Sequence, residues 1–123
     1  MFSTSFRNTP IMDFASVKAG LEDKSFILID VRGSDEIKDA GKIPGSQNVP
    51  LNDIPTAFGL SDGEFKTKYG FDKPAKDAAI VTSCKIGGRA AKGGTMLENL
   101  GFTNVKVYGG SFTDWQKNNG PTE

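Results

Sequence analysis

The run Ala78-Ala79-Ile80-Val81-Thr82-Ser83, followed directly by Cys84-Lys85-Ile86-Gly87-Gly88-Arg89, decides the fold. Its first half is small, apolar and β-branched without polar alternation, the pattern of a strand buried on both faces of a parallel sheet. Its second half leads into a segment in which Ala90, Gly93, Gly94, Leu97 and Leu100 lie close to one helical face, with Gly101 placed to end the helix. Strand, loop and helix follow without a break. In open α/β sheets, ligands bind beyond the carboxyl ends of the strands, where helix N-termini present unpaired N–H groups. Cys84 stands at that edge.

Outward from this unit, Phe26-Ile27-Leu28-Ile29-Asp30-Val31 reads as a second buried strand and Val105-Lys106-Val107-Tyr108 as a third, with Gln47-Asn48-Val49-Pro50 adding a short one. Phe14, Val17 and Leu21 share a helical face behind Asp13, a suitable cap. Ser61 and Glu64 have capping-box spacing and start a helix through Tyr69, against the local preference of Gly63. Ser111 and Asp114 repeat that spacing before Trp115, so a last short helix is expected with Ser111 as its cap. The interior glycines 93 and 94 cost about 1 kcal/mol each relative to alanine, and close packing of helix on sheet is the reason for them. This order predicts a single α/β domain over residues 11–118, with a mostly parallel central sheet, helices on both faces and right-handed crossovers. Residues 1–10 and 119–123 are expected to be tails.

The chain has 123 residues, enough to bury one core, and its 15 basic and 15 acidic side chains cancel. Nothing global therefore favours nucleic acid or an anionic membrane, and no apolar run approaches the roughly 18 residues of a membrane span. A lone cysteine forms no internal disulfide and fits a reducing compartment, so the cytoplasm is expected, with the mitochondrion as the alternative. The N-terminal MFSTSFRNTP carries a faint transit-peptide character but reads better as a soluble tail. Histidine is absent, which removes Ser-His-Asp and Cys-His catalysis and His-containing zinc sites together; no metal and no cofactor are expected.

A nucleophilic Cys84 must then be activated by something other than an imidazole. Glycines 87 and 88 let successive backbone amides curl toward one point as an anion-binding nest. Arg89 brings a permanently charged fork suited to oxyanions, and Lys85 a second cation. Amides, a helix N-terminus and nearby cations favour the thiolate at neutral pH without a base. Cys84 is the candidate nucleophile, and Lys85, Ile86, Gly87, Gly88, Arg89 and Ala90 are the candidate binding loop. The bland alternative is an inert buried cysteine before a glycine turn.

The chain resembles the rhodanese-like family of small α/β sulfurtransferase domains over residues 11–118. Asp30-Val31-Arg32 is similar to its Asp-x-Arg, and Gly41 through Pro50 to its Gly-x-Ile-Pro-Gly-Ala-x-x-Ile-Pro stretch, with Ser46 in the alanine place and Val49 in the isoleucine place. Gly109-Gly110-Ser111 with Trp115 resembles its closing segment, and CKIGGR its Cys-x-x-Gly-x-Arg loop. The resemblance implies that Cys84 takes the sulfane sulfur of a small donor, thiosulfate or a persulfide such as that of glutathione, and passes it to cyanide or a thiol acceptor. Asp30 and Arg32 are expected to support the loop by ion pairing, and a monomer is expected. With no second cysteine, the acceptor must come from outside. Ala90 stands where the family often has serine.

Cysteine phosphatases and arsenate reductases of related fold have a longer loop between cysteine and arginine, and usually a histidine before the cysteine. Here four residues separate Cys84 from Arg89 and Ser83 precedes, which favours a single sulfur over a tetrahedral phosphate. A non-catalytic binding module is the third reading, against which both Cys84 and Arg89 stand. Arg7, Lys66 and Lys68 read as solvated charges, Pro44 and Pro50 as fixing a turn and an edge segment, and Trp115 as core.

Overall fold

The structure, a computed structural model, describes residues 9–123. The reading of residues 1–8 as tail or transit peptide, and that of Arg7, lie outside this range; Thr9 and Pro10, expected to be tail, are held on the domain, Thr9 Oγ1 donating to Glu98 Oε1 at 2.6 Å and Val107 N–H donating to Pro10 O at 2.9 Å. In chain order the elements are β1 (Ile11–Met12), α1 (Phe14–Asp23), β2 (Ile27–Asp30), α2 (Ser34–Ala40), β3 (Gln47–Asn48), a 3-10 turn (Leu51–Asp53), α3 (Ile54–Ala57), α4 (Asp62–Tyr69), β4 (Ile80–Ser83), α5 (Gly88–Asn99), β5 (Val105–Tyr108) and α6 (Ser111–Lys117). The five strands form one sheet in the order β1-β5-β4-β2-β3, and every pairing is parallel.

The expected strands form, β2, β3 and β4 with trimmed ends and β5 over its full expected length. Leu28 lies opposite Val81 and Asp30 opposite Ser83, so β2 and β4 run out together just before Cys84. Side chains alternate across the sheet. Ile29, Val31, Ile80, Cys84, Val105 and Val107 join a core with α3, α4 and α5, while Leu28, Val81 and Tyr108 join Val17, Phe112 and Trp115 from α1 and α6 on the other face. Trp115 is core as expected, 2 % exposed.

Helix starts follow their capping residues in two of the three expected cases. Asp13 accepts from Ser16 N–H ahead of α1, and Ser61 and Glu64 form a reciprocal capping box on α4. The third differs: Gly110 is the N-cap of α6, and Ser111 is its first residue with φ of 54°. Its hydroxyl points away from the helix to satisfy Cys84 N–H, which would otherwise be a buried donor without a partner. Residues 119–123, expected to be a tail, lie against the domain: Trp115 Nε1 donates to Pro121 O at 2.6 Å, and Glu123 exchanges backbone hydrogen bonds with Lys42.

Candidate active site

Cys84 is the first residue after β4 and is 1 % exposed. The N–H of Gly87 donates to its Sγ at 3.0 Å and the N–H of Ala90 at 3.3 Å. Both donors belong to the turn that opens α5, so the sulfur sits on helix-terminal amides that have no partner within the helix. Gly87 has φ of 113°, and a Cβ there would run into the carbonyl of Gly109. Only glycine holds this turn against that strand end.

The backbone of the cysteine is held as firmly as its sulfur. Cys84 N–H donates to Ser111 Oγ at 3.1 Å, and Ser111 Oγ donates to Tyr108 O at 2.8 Å. Phe112 N–H and Thr113 N–H, in the first turn of α6, donate to Cys84 O at 3.0 Å and Lys85 O at 2.9 Å. Thr82 Oγ1 donates to Ala90 O at 2.7 Å, pinning the first turn of α5 to β4.

The other predicted residues take distinct positions. Lys85 and Gly88 are exposed, and Ile86 is 73 % exposed. Asp30 and Arg32 are both buried: Arg32 Nη2 meets Asp30 Oδ2 at 2.7 Å, Nε meets both carboxylate oxygens at 3.0 Å, and Nη2 also reaches Gly41 O at 2.9 Å. The guanidinium carbon lies 4.5 Å from the centre of the Phe112 ring. Phe112 in turn donates its N–H to Cys84 O, so the buried pair lies one residue away from the cysteine loop and makes no hydrogen bond to the sulfur.

Arg89 carries the departure from expectation. Its fork does not stand open over the loop but closes on Glu36 of α2, Nη1 to Oε1 at 2.5 Å and Nη2 to Oε2 at 3.0 Å. The Arg89 hydrogen bond holds the Glu36 carboxyl down at about 2, against burial, with the Gly33 N–H and the charges of Arg89 and Arg32 adding to it. The same bond pushes Arg89 up from its ordinary value. A carboxylate with a lowered pKa contributes stability that is present above its ordinary value of 4.5 and is lost as the pH falls through about 2. The pair is therefore formed at any physiological pH.

Sequence reasoning missed Glu36 and Thr82 and gave Ser111 a different role. The one available signal for Glu36 was its position three residues after Gly33, where a carboxylate caps a helix start.

The site is that of a parallel α/β domain that presents one cysteine on backbone amides beyond its central strand, with four residues between that cysteine and an arginine. The rhodanese-like domain profile matches residues 13–118, and the chain belongs to that family. It is 41 % identical over 117 residues, 92 % of this chain and 82 % of the relative, to a Schizosaccharomyces pombe protein provisionally named a mitochondrial thiosulfate sulfurtransferase. It is 31 % identical to the thiosulfate:glutathione sulfurtransferase of Saccharomyces cerevisiae, covering 96 % of this chain and 86 % of that one. The crystal structure of the S. cerevisiae single-domain sulfurtransferase RDL2 superposes with a TM-score of 0.81 at 33 % identity, over 95 % of this chain and 94 % of that chain.

Proposed function

We propose that the chain is a sulfurtransferase in which Cys84 is the nucleophile and residues 85–90 form the binding loop. The Cys84 thiolate attacks the outer sulfur of a donor such as thiosulfate or glutathione persulfide. With thiosulfate the S–S bond breaks, sulfite leaves with the electron pair, and Cys84 carries a persulfide anion. A thiol or cyanide acceptor then attacks the terminal sulfur and returns the thiolate. The observation that carries this reading is the pair of N–H donors, Gly87 and Ala90, aimed at a buried Sγ. Fixed amides stabilise charge on sulfur with no reorganisation at the moment of reaction.

The relatives named for thiosulfate and glutathione support this donor and acceptor chemistry. The name of the S. pombe relative favours a mitochondrial compartment over the cytoplasm. No helix among the described residues is long and apolar enough to cross a membrane. A monomer fits a surface on which Ile11 and Ile86 are the large exposed hydrophobics among the described residues, too little for a broad apolar interface.

The test is a paired assay. Thiosulfate with cyanide should give thiocyanate, lost in Cys84→Ser, while an aryl phosphate should not be hydrolysed. Phosphate release that depends on Cys84, without thiocyanate, would assign the loop to phosphoryl transfer instead.

A further inference from the structure

The Arg89 fork is occupied by a carboxylate that is itself held in place. Glu36 Oε1 also accepts from Gly33 N–H at 3.2 Å where α2 begins, so the glutamate is fixed from its own helix and reaches across to α5. Both prongs of the guanidinium face Glu36, while Lys85 of the same loop is exposed. We propose that Glu36 is a specificity-determining residue: by neutralising Arg89, it biases the Cys84 loop against dianionic sulfur donors and toward monoanionic ones.

This proposal rests on the sulfur-transfer reading and adds a choice among donors. Thiosulfate and an organic thiosulfonate offer Cys84 the same step, attack on a terminal sulfur with cleavage of its bond to an oxidised sulfur. Thiosulfate releases sulfite and the thiosulfonate releases a sulfinate, so charge balances in both, but the first donor carries one negative charge more. An unpartnered arginine attracts the dianion more strongly than the monoanion; an arginine already paired presents little net charge to either. The paired side chains are 37 % and 41 % exposed, so the difference is the modest one of a half-solvated pair, and it shrinks as salt rises.

Glu36→Gln keeps one acceptor oxygen, for Gly33 N–H and Arg89 Nη1, and removes the charge together with the second acceptor that Arg89 Nη2 uses. Measured as kcat/KM at fixed low ionic strength, the ratio of thiosulfate to benzenethiosulfonate should rise about two- to fivefold in Glu36→Gln, mainly through the thiosulfate KM. In an Arg89→Ala background the same substitution should leave the ratio unmoved. A ratio that stays constant or falls in Glu36→Gln, or that rises equally without Arg89, overturns the proposal.

Alkylation of Cys84 gives a readout that needs no sulfur transfer: iodoacetate, an anion, should gain on neutral iodoacetamide by a similar factor in Glu36→Gln. If neither donor turns over yet this alkylation ratio rises, the sulfur-transfer reading fails while the charge-setting role of Glu36 stands. An unchanged alkylation ratio overturns that role whatever the turnover.

Discussion

Two buried serine hydroxyls have opposite environments. Ser111 Oγ accepts the N–H of Cys84 and donates to Tyr108 O, so both ends of its capacity are used in a fully buried position. Ser46 is also buried, and its Oγ has no hydrogen-bond partner among the described residues. Removing Ser111 leaves a buried N–H unsatisfied, whereas removing the Ser46 hydroxyl relieves an unpaired group. Ser111→Ala should therefore destabilise by about 1–3 kcal/mol. Ser46→Ala, which restores the family's alanine, should be neutral or stabilising by up to about 1 kcal/mol. Urea unfolding of the two variants checks this; equal losses would mean that the Ser46 hydroxyl is satisfied after all. Ser111 also marks where residue-level reading stops. Its spacing to Asp114 is that of a cap, but the competing demand comes from a backbone donor 27 residues earlier in the chain, which no local pattern records.

At the scale of the element, α5 explains its own unusual glycines. A Cβ at Gly94 would lie 3.0 Å from Val107 Cγ2, and one at Gly93 3.2 Å from Val31 Cγ1, so both glycines let the helix lie close on the strands that carry the site. Gly63 in α4 meets nothing within 4 Å. Gly63→Ala should accordingly stabilise by roughly 0.5–1 kcal/mol through helix propensity. Gly94→Ala should lose that gain to crowding. Urea midpoints at unchanged slope make the comparison, and a matching gain at Gly94 would contradict the packing explanation. The apolar face of α5 made it legible in the sequence. Helix α2 was not legible, because Ser34–Ala40 buries no residue and Ile37 is its one large apolar side chain. Hydrophobic periodicity is silent for such a helix, and with it Glu36 stayed hidden.

At the scale of the whole molecule, the parallel sheet gathers the site from segments far apart in the chain. Strands β5, β4 and β2 are neighbours, and the segments leaving their carboxyl ends meet at one edge: Gly109 to Thr113 after β5, Cys84 to Ala90 after β4, and Arg32 to Glu36 after β2. The class of fold and the cysteine loop could be read from the order of strands and the glycine spacing, because both are local patterns. The contacts that grip the loop could not, because they depend on which strands become neighbours. With the thiol buried and cradled at this edge, the proposed role of Cys84 is to carry sulfur. Mass spectrometry of the intact protein and its Cys84 peptide after incubation with thiosulfate, or with glutathione persulfide, tests it directly. One added sulfur atom on Cys84, removed by cyanide or a thiol, is the predicted result; a cysteine unmodified by every donor while the fold is intact would contradict it.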